Sequence, residues 1–366
     1  MSFKIEKRQE LDLRMFYLTP VLAVVLTVLT GFLLFLFMGY DPFLGIFYFF
    51  ISPLRDGYSL AELGLKASPL ILIAVGLSMG FRANVWNIGA EGQLTMGAVA
   101  GGGLALALID VQAFWVLPLI CAVGILGGMA YAAIPAFLKA RWDVNEILTS
   151  LMLTYVATLF LSTLVYGPWK DPLGFNFPQS EMFGESATLP IVLEGTRLHL
   201  GVIVALLVAV TGWVLMTRTI IGFQIRVVGQ APAAAAFAGF SRKRMIWLSL
   251  LTSGGLAGLA GLFEVAGPIG QLIPSISPGY GFTAIIVAFL GRLHPLGIVG
   301  AGLIMALSYI GGENAQVEAG MPQAVTGVFQ GLLLFFLLAS DFLARYRIRR
   351  EAPPARTDLR KEALAQ

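Results

Sequence analysis

Ten apolar runs follow one another between residues 18 and 342, most of them close to 20 residues long. A hydrocarbon core ~30 Å thick is crossed by about 20 apolar residues of α-helix. Within it every backbone N–H and C=O must be satisfied by the chain itself, so only helices or a closed barrel can span. The alternating pattern of an outer-membrane barrel, in segments of about 10 residues, is missing. The chain is therefore predicted to be an all-α polytopic membrane protein. Its candidate spans are 18–38, 61–80, 93–109, 113–138, 147–167, 198–216, 245–267, 280–291, 296–312 and 323–342. The eighth is too short to cross, so it is either a half-helix or extends into the Pro274–Gly279 segment. A charged content of 12% agrees with this class, because a soluble domain carries about a quarter. The first run is too long for a signal-peptide core and is expected to remain as a span.

Lys and Arg set the orientation, since cytoplasmic loops carry their excess. With both termini inside, 20 of the 24 fall on the inner side, and only Arg55, Lys66, Lys170 and Arg197 fall on the other. An N-in, C-in chain with an even number of spans follows. Three parts result: a cytoplasmic N-terminus (1–17), a transmembrane domain (18–342) with an inner segment at 217–244, and a basic C-terminal tail (343–366). The Pro353-Pro354 pair and the lack of an apolar face predict disorder for that tail.

Polar and helix-breaking residues interrupt the pattern at Gly80-Phe-Arg-Ala-Asn-Val-Trp-Asn-Ile-Gly-Ala-Glu-Gly-Gln93, after the second run. A Gly- and Pro-rich segment, Gly267 to Gly279, follows the seventh. Five spans separate the two, an odd number, so they belong to inverted repeats. Paired interruptions of this kind point to a transport site near the membrane midplane. Candidate path residues are Asn84, Trp86, Asn87, Gln93 and Phe282, whose amides and aromatic faces suit a neutral solute. Glu91 is favoured by the positive end of the helix it opens, and Arg82 is a candidate partner for it. Glu264 either lines a cavity or sits at the outer interface. Other charges have local readings: Glu62 and Lys66 as an i, i+4 pair, Glu146 as a helix cap, and Asp41 with Pro42 as the start of an outer loop.

Within the inner segment, Gln230 to Gly239 reads as a helix of about two turns. Pro232 suits its first position, four alanines follow, and Gly239 suits the stop. It is too short to span and too apolar for a solvated loop. A groove on a partner protein would cover it, with a membrane surface as the alternative.

Three stretches carry a family resemblance: Arg82 to Gln93, Val144-Asn-Glu-Ile-Leu-Thr-Ser-Leu-Met-Leu-Thr-Tyr155, and Gly222-Phe-Gln-Ile-Arg-Val-Val-Gly-Gln-Ala-Pro-Ala-Ala234. They resemble permease subunits of bacterial ATP-binding cassette (ABC) importers of the ribose and branched-chain amino acid permease superfamily, over roughly residues 60–345. The Trp-Asn-Ile-Gly-Ala-Glu-Gly form is most similar to the purine-nucleoside branch, as are Gly167-Pro-Trp-Lys-Asp-Pro172 and Phe177-Pro-Gln-Ser180. The resemblance implies that the short inner helix is a coupling helix docked into an ATPase, a role carried by Gly229, Pro232, Ala233, Ala234, Ala235 and Gly239. Members often place an acidic residue or Asn before the alanines, where this chain has Gln230-Ala231-Pro232.

Missing motifs complete the reading. Without a Gly-Lys dipeptide there is no P-loop, so ATP and Mg are expected on a separate ATPase subunit and this chain is expected to bind no cofactor. A lone Cys121 and the isolated His199 and His294 supply no metal site. The chain is expected to be a transport subunit and not an enzyme, in a bacterial inner membrane, passing a neutral solute, above all a purine nucleoside. A simple sugar or another small neutral solute is the alternative cargo. An ion-coupled secondary carrier is less favoured, because such carriers keep acids along their path. Expected partners are an ATPase with tandem nucleotide-binding domains, a second homologous permease, an extracytoplasmic solute-binding protein and membrane lipid, with no nucleic acid.

Overall fold

A computed structural model describes residues 2–7 and 13–351. The chain is nearly all helical. Its helices are α1 (Leu13–Phe37), α2 (Pro42–Ile46), α3 (Gly57–Arg82), α4 (Ala90–Ala107), α5 (Val116–Trp142), α6 (Glu146–Tyr166), α7 (Gly201–Arg218), α8 (Ile220–Gln230), α9 (Pro232–Phe237), α10 (Arg242–Glu264), α11 (Tyr280–Leu290), α12 (Pro295–Ala319) and α13 (Ala324–Arg345). Each of the ten apolar runs has become a helix. Among the described residues, seven of these are long and apolar enough to cross a membrane. Among the others, Glu91, Gln93 and five glycines lower the hydropathy of α4, α11 has only 11 residues, about 16 Å, and α13 is apolar over Ala324–Ser340. The short eighth run is thus a half-helix, and residues 270–279 before it are not helical.

Three features depart from the expectation. Residues 42–54, placed in a loop, form α2, a π-turn (Phe47–Ile51) and a 3₁₀ turn. Asp41 starts them by accepting the N–H groups of Phe43 (2.9 Å) and Leu44 (3.3 Å), as an N-cap does. The inner segment holds two helices, α8 and α9, where one was expected. The fold is also not wholly α. Strand β1 (Ser2–Lys7) pairs antiparallel with β2 (Tyr346–Glu351), with Ser2 opposite Glu351. The remainder of the tail, with Pro353-Pro354, lies outside the described residues.

The chain divides into two compact units. One contains α1, α2, the ribbon and most of α13. In it the Phe329 ring covers Gly31 and packs 5.5 Å from the Phe35 ring. The other, residues 47–326, contains both broken segments.

In that larger unit α3 and α10 form the centre. They bury 78% and 72% of their apolar windows, against 22% for α5 and α6, so α5 and α6 leave wide apolar faces for lipid or a partner. The two central helices run antiparallel: Gly76 lies on Ser253 and Gly80 approaches Ser249. Each is followed by a break, and each packs on the helices after the other's break. Thus α10 packs on α4 and α5, while α3 packs on α11 and α12. This exchange is the arrangement that inverted repeats would produce. Small residues make it close enough. A Cβ on Gly97 would overlap the Gly258 backbone, and one on Gly128 would overlap Gly254. Helices within a membrane lack a hydrophobic drive to associate, so such contact supplies the packing attraction that holds them.

Candidate translocation site

The first break, residues 83–89, leaves helix geometry at Asn84, which has a φ of 56°. Its freed donors find acceptors on α6, as backbone inside an apolar bundle requires. Trp86 N–H donates to Glu146 Oε1 (3.4 Å), and Ile88 N–H donates to Ser150 Oγ (3.3 Å). A methyl on Gly89 would stand 2.6 Å from the Ser150 carbonyl oxygen, and one on Gly92 would stand 2.7 Å from Thr154 Cα. The glycines of the motif therefore lay the break flat on α6. The matching polar stripe of Glu146, Ser150 and Thr154, all buried, repeats every four residues in the sequence. That stripe was the available signal for a role that sequence reasoning had not given to α6.

Asn87 and Gln93 form a reciprocal amide pair. Asn87 Nδ2 donates to Gln93 Oε1 (2.7 Å), and Gln93 Nε2 donates to Asn87 Oδ1 (3.0 Å). Asn87 also donates to Ser253 Oγ on α10 (2.9 Å) and accepts from Gly89 N–H (3.2 Å). These bonds tie the break to α4 and to the central helix. Trp86 Nε1 donates to Asn84 Oδ1 (3.2 Å), and its indole lies 4.9 Å from the Phe81 ring and 5.9 Å from the Phe289 ring. The aromatic face expected for solute is thus shared with two neighbouring rings.

The two breaks meet at Glu91. Its Oε2 accepts the Gly281 N–H at 2.6 Å, so one carboxylate lies at the N-terminal ends of both α4 and α11. Both helix dipoles favour negative charge there. The backbones cross closely enough that a Cβ on Gly281 would overlap Glu91. Arg82 is not its partner, contrary to expectation. Its Nε donates instead to the Leu293 carbonyl (3.0 Å), because the break turns Arg82 away from the start of α4. Ser277 caps α11, its hydroxyl accepting from Gly279 (3.1 Å) and Tyr280 (2.9 Å). Loop residues fasten the second break: Phe183 N–H donates to Gly270 O (2.9 Å), and Ser180 Oγ accepts from Leu272 N–H (2.9 Å).

Glu264 lies at the end of α10 beside the second break and makes no hydrogen bond or ion pair among the described residues. Phe282 in α11 is 39% exposed. Nearby, Tyr280 is fully buried and its hydroxyl has no hydrogen-bond partner among the described residues.

Three charge assignments change in three dimensions. Glu62 and Lys66 do not pair with each other. Glu62 takes both Arg197 Nε (2.9 Å) and Nη2 (2.6 Å), while Lys66 reaches Glu313 Oε1 (3.2 Å). The partners are distant in sequence: Arg197 in the loop before α7 and Glu313 on α12. Asn145, not Glu146, caps α6, accepting from Ile147 N–H (2.9 Å). Glu146 instead pairs with Lys139 (3.1 Å), which also donates to Asp143 (2.9 Å) and so holds that carboxyl below its ordinary range.

The Glu62 pair yields a directional prediction. The Glu62 side chain is 8% exposed and that of Arg197 53%. Removing the arginine strands a buried charge, whereas removing the acid returns a half-exposed guanidinium to water. Arg197→Ala is expected to lower the melting temperature of the purified permease more than Glu62→Gln does. The reverse order would contradict this account.

The inner helix falls where the sequence placed it, with Pro232 opening α9 and Gly239 in the left-handed conformation (φ 78°) behind it. Gly229 abuts the Arg82 carbonyl so closely that a Cβ would overlap it. Pro232, Ala233 and Ala234 are exposed, whereas Ala235 is buried. Sequence reasoning missed Phe237, whose ring is 96% exposed at the end of α9.

Broken helices whose ends meet inside an apolar, antiparallel bundle are the arrangement from which membrane transporters build a path. The chain belongs to the family of permease components of the branched-chain amino acid transport system, whose model matches residues 59–338. It is similar to the glucose ABC transporter permease of Haloferax volcanii, 37% identical over 95% of this chain and 94% of that protein. It is 32% identical to the guanosine ABC transporter permease of Bacillus subtilis, over 90% of this chain and 94% of the relative. It is 29% identical to a nucleoside ABC transporter permease of Lactococcus lactis, over 87% and 90%. No solved structure matches the chain. The protein is a permease subunit of an ABC transporter.

Proposed function

We propose that this chain forms one half of the pore of an ABC importer in a bacterial cytoplasmic membrane, passing a purine nucleoside inward. The junction of α4 and α11 at Glu91 carries the reading, since half-helix ends that converge in this way create a polar point inside an apolar bundle. Glu264 and Phe282 are the path residues with free capacity: an acid with no partner to accept a solute hydroxyl or N–H, and an aromatic face to stack on it. Asn87, Gln93 and Glu91 frame that path, because their hydrogen bonds are already used within the chain. Asn84 and Trp86 mark its inner end. Placing both termini on the inner side agrees with the Lys/Arg distribution.

The exposed face of α9, with Ala233, Ala234 and Phe237, fits a groove on an ATPase subunit with tandem nucleotide-binding domains. A second homologous permease and an extracytoplasmic solute-binding protein would complete the importer. The glucose and nucleoside relatives name two cargo classes, and both are neutral and rich in hydroxyls. The base-stacking ring at Phe282 favours the nucleoside.

Reconstitution with the partner subunits tests the proposal. ATP-dependent uptake of guanosine is expected, at a level that Glu264→Gln reduces without loss of protein. Uptake of glucose alone would establish the sugar reading, and solute uptake in vesicles lacking the ATPase would establish a secondary carrier.

A further inference from the structure

Between Glu194 and Glu264 the chain has no acidic residue and six Lys or Arg. The two long helices of this stretch, α7 and α10, border a groove of about 330 Å³. Val208, Thr211 and Leu215 of α7 form one wall and Met129 of α5 stands on the other, over a floor that includes Met79 of α3 and Thr252 of α10. Because α7 packs on α3 and α5 packs on α10, the groove is the gap that two outer helices leave over the central pair. It lies apart from the Glu91 junction and shares no residue with it.

The chemistry of the groove is apolar throughout. None of its lining residues is charged, and its two hydroxyls are turned onto their own helices: Thr211 donates to the Leu207 carbonyl (2.9 Å) and Thr252 to the Leu248 carbonyl (2.6 Å). Met79 and Met129 supply flexible side chains that adapt to an apolar occupant. Cations stand at one end. Arg218 follows Val208, Thr211 and Leu215 at helical spacing and so continues the α7 wall where that helix ends. Arg244 precedes Leu251, another lining residue, by two turns of α10 and so lies on the same face. Both arginines are exposed, and neither forms an ion pair among the described residues. Trp247, one turn from Arg244, is half-buried, and tryptophan favours the headgroup level of a membrane.

We propose that the groove and its arginine collar bind one anionic phospholipid of the inner leaflet, with an acyl chain between α5 and α7 and its phosphate at Arg218 and Arg244. An acyl chain suits a slot that is apolar and open to the bilayer, and guanidinium forks match a phosphate. A basic collar between spanning helices on the cytoplasmic side is the arrangement that holds anionic headgroups. A zwitterionic lipid brings no net charge to the collar, and a protein helix would have to bring acids of its own. Bound there, the lipid braces α5 and α7 against α3 and α10, the two helices that lead into the breaks. The choice of the inner leaflet rests on the orientation proposed above, whereas the binding itself does not.

The test titrates the full chain, purified in mild detergent, with phosphatidylglycerol and with phosphatidylcholine of the same acyl chains. Native mass spectrometry reads bound lipid, and the melting temperature reads stabilisation; neither depends on cargo or on the ATPase. Phosphatidylglycerol is expected to bind more tightly and to raise the melting temperature. Combining Arg218→Gln with Arg244→Gln should weaken it about tenfold or more, towards the level of phosphatidylcholine. Thr211→Phe fills the groove from an exposed position, and should weaken both lipids while leaving the lipid-free melting temperature unchanged. The proposal is overturned if the two lipids bind the wild type alike, or if either variant holds phosphatidylglycerol as tightly as the wild type does. It is likewise overturned if Thr211→Phe leaves lipid binding intact and changes the oligomeric state, because a second copy of the chain would then cover the groove. The two arginines are exposed, so the charge variant keeps the test decisive even where Thr211→Phe fails to fold.

Discussion

Replacing Glu91 by Leu is expected to abolish ATP-driven uptake and to lower the stability of the permease. Glu91 is 8% exposed, and its carboxylate accepts the Gly281 N–H at 2.6 Å. Leucine fills the space and leaves that buried donor without an acceptor, at a cost of about 1–3 kcal/mol. It also removes the hydrogen bond that joins the starts of α4 and α11, and with it the negative charge that both dipoles favour. Glu91→Gln keeps an amide oxygen in reach of Gly281, so most of the stability and part of the transport should survive. Melting temperature and proteoliposome uptake separate the variants. A Leu variant that transports normally would show that the junction has no part in translocation.

Replacing Ala234 by Asp is expected to uncouple the permease from its ATPase while leaving its own fold intact. Ala234 lies on the exposed face of α9, so the new charge meets water in the isolated chain. In a docked complex it would be buried in an apolar groove without a partner, which is strongly unfavourable. The same change at Ala235 should behave differently, because Ala235 is 2% exposed and its replacement injures the permease itself. The readouts are co-purification of the ATPase and ATP-dependent uptake, with the melting temperature of the permease alone as the control. Unchanged assembly and uptake in Ala234→Asp would remove α9 from the docking surface.

Much of the architecture was legible in the chain because a membrane imposes strict rules on composition. Apolar length located every major helix, including the half-helix α11, whose 11 residues could not span. Pro232 and Gly239 marked the ends of the inner helix to within a residue, since each acts through local backbone geometry. The interruptions at 80–93 and 267–279 were visible as polar, Gly and Pro residues between apolar runs. The odd number of spans between them is consistent with the antiparallel packing of α3 and α10.

Only the tertiary structure decided who pairs with whom. Glu62 had a Lys one turn away, yet its partner is Arg197, 135 residues on. Glu91 had Arg82 nearby in sequence, yet it holds Gly281, 190 residues on. Asn87 and Gln93 read as groups for a solute, and the fold uses them to satisfy each other. The physical reason is common to all of these. Helix formation and membrane insertion depend on length, composition and local dihedrals, which a sequence states directly. The hydrogen bonds that satisfy a broken backbone depend on which helices become neighbours, and that is settled only when the glycine-lined surfaces of α4, α5 and α10 close on one another.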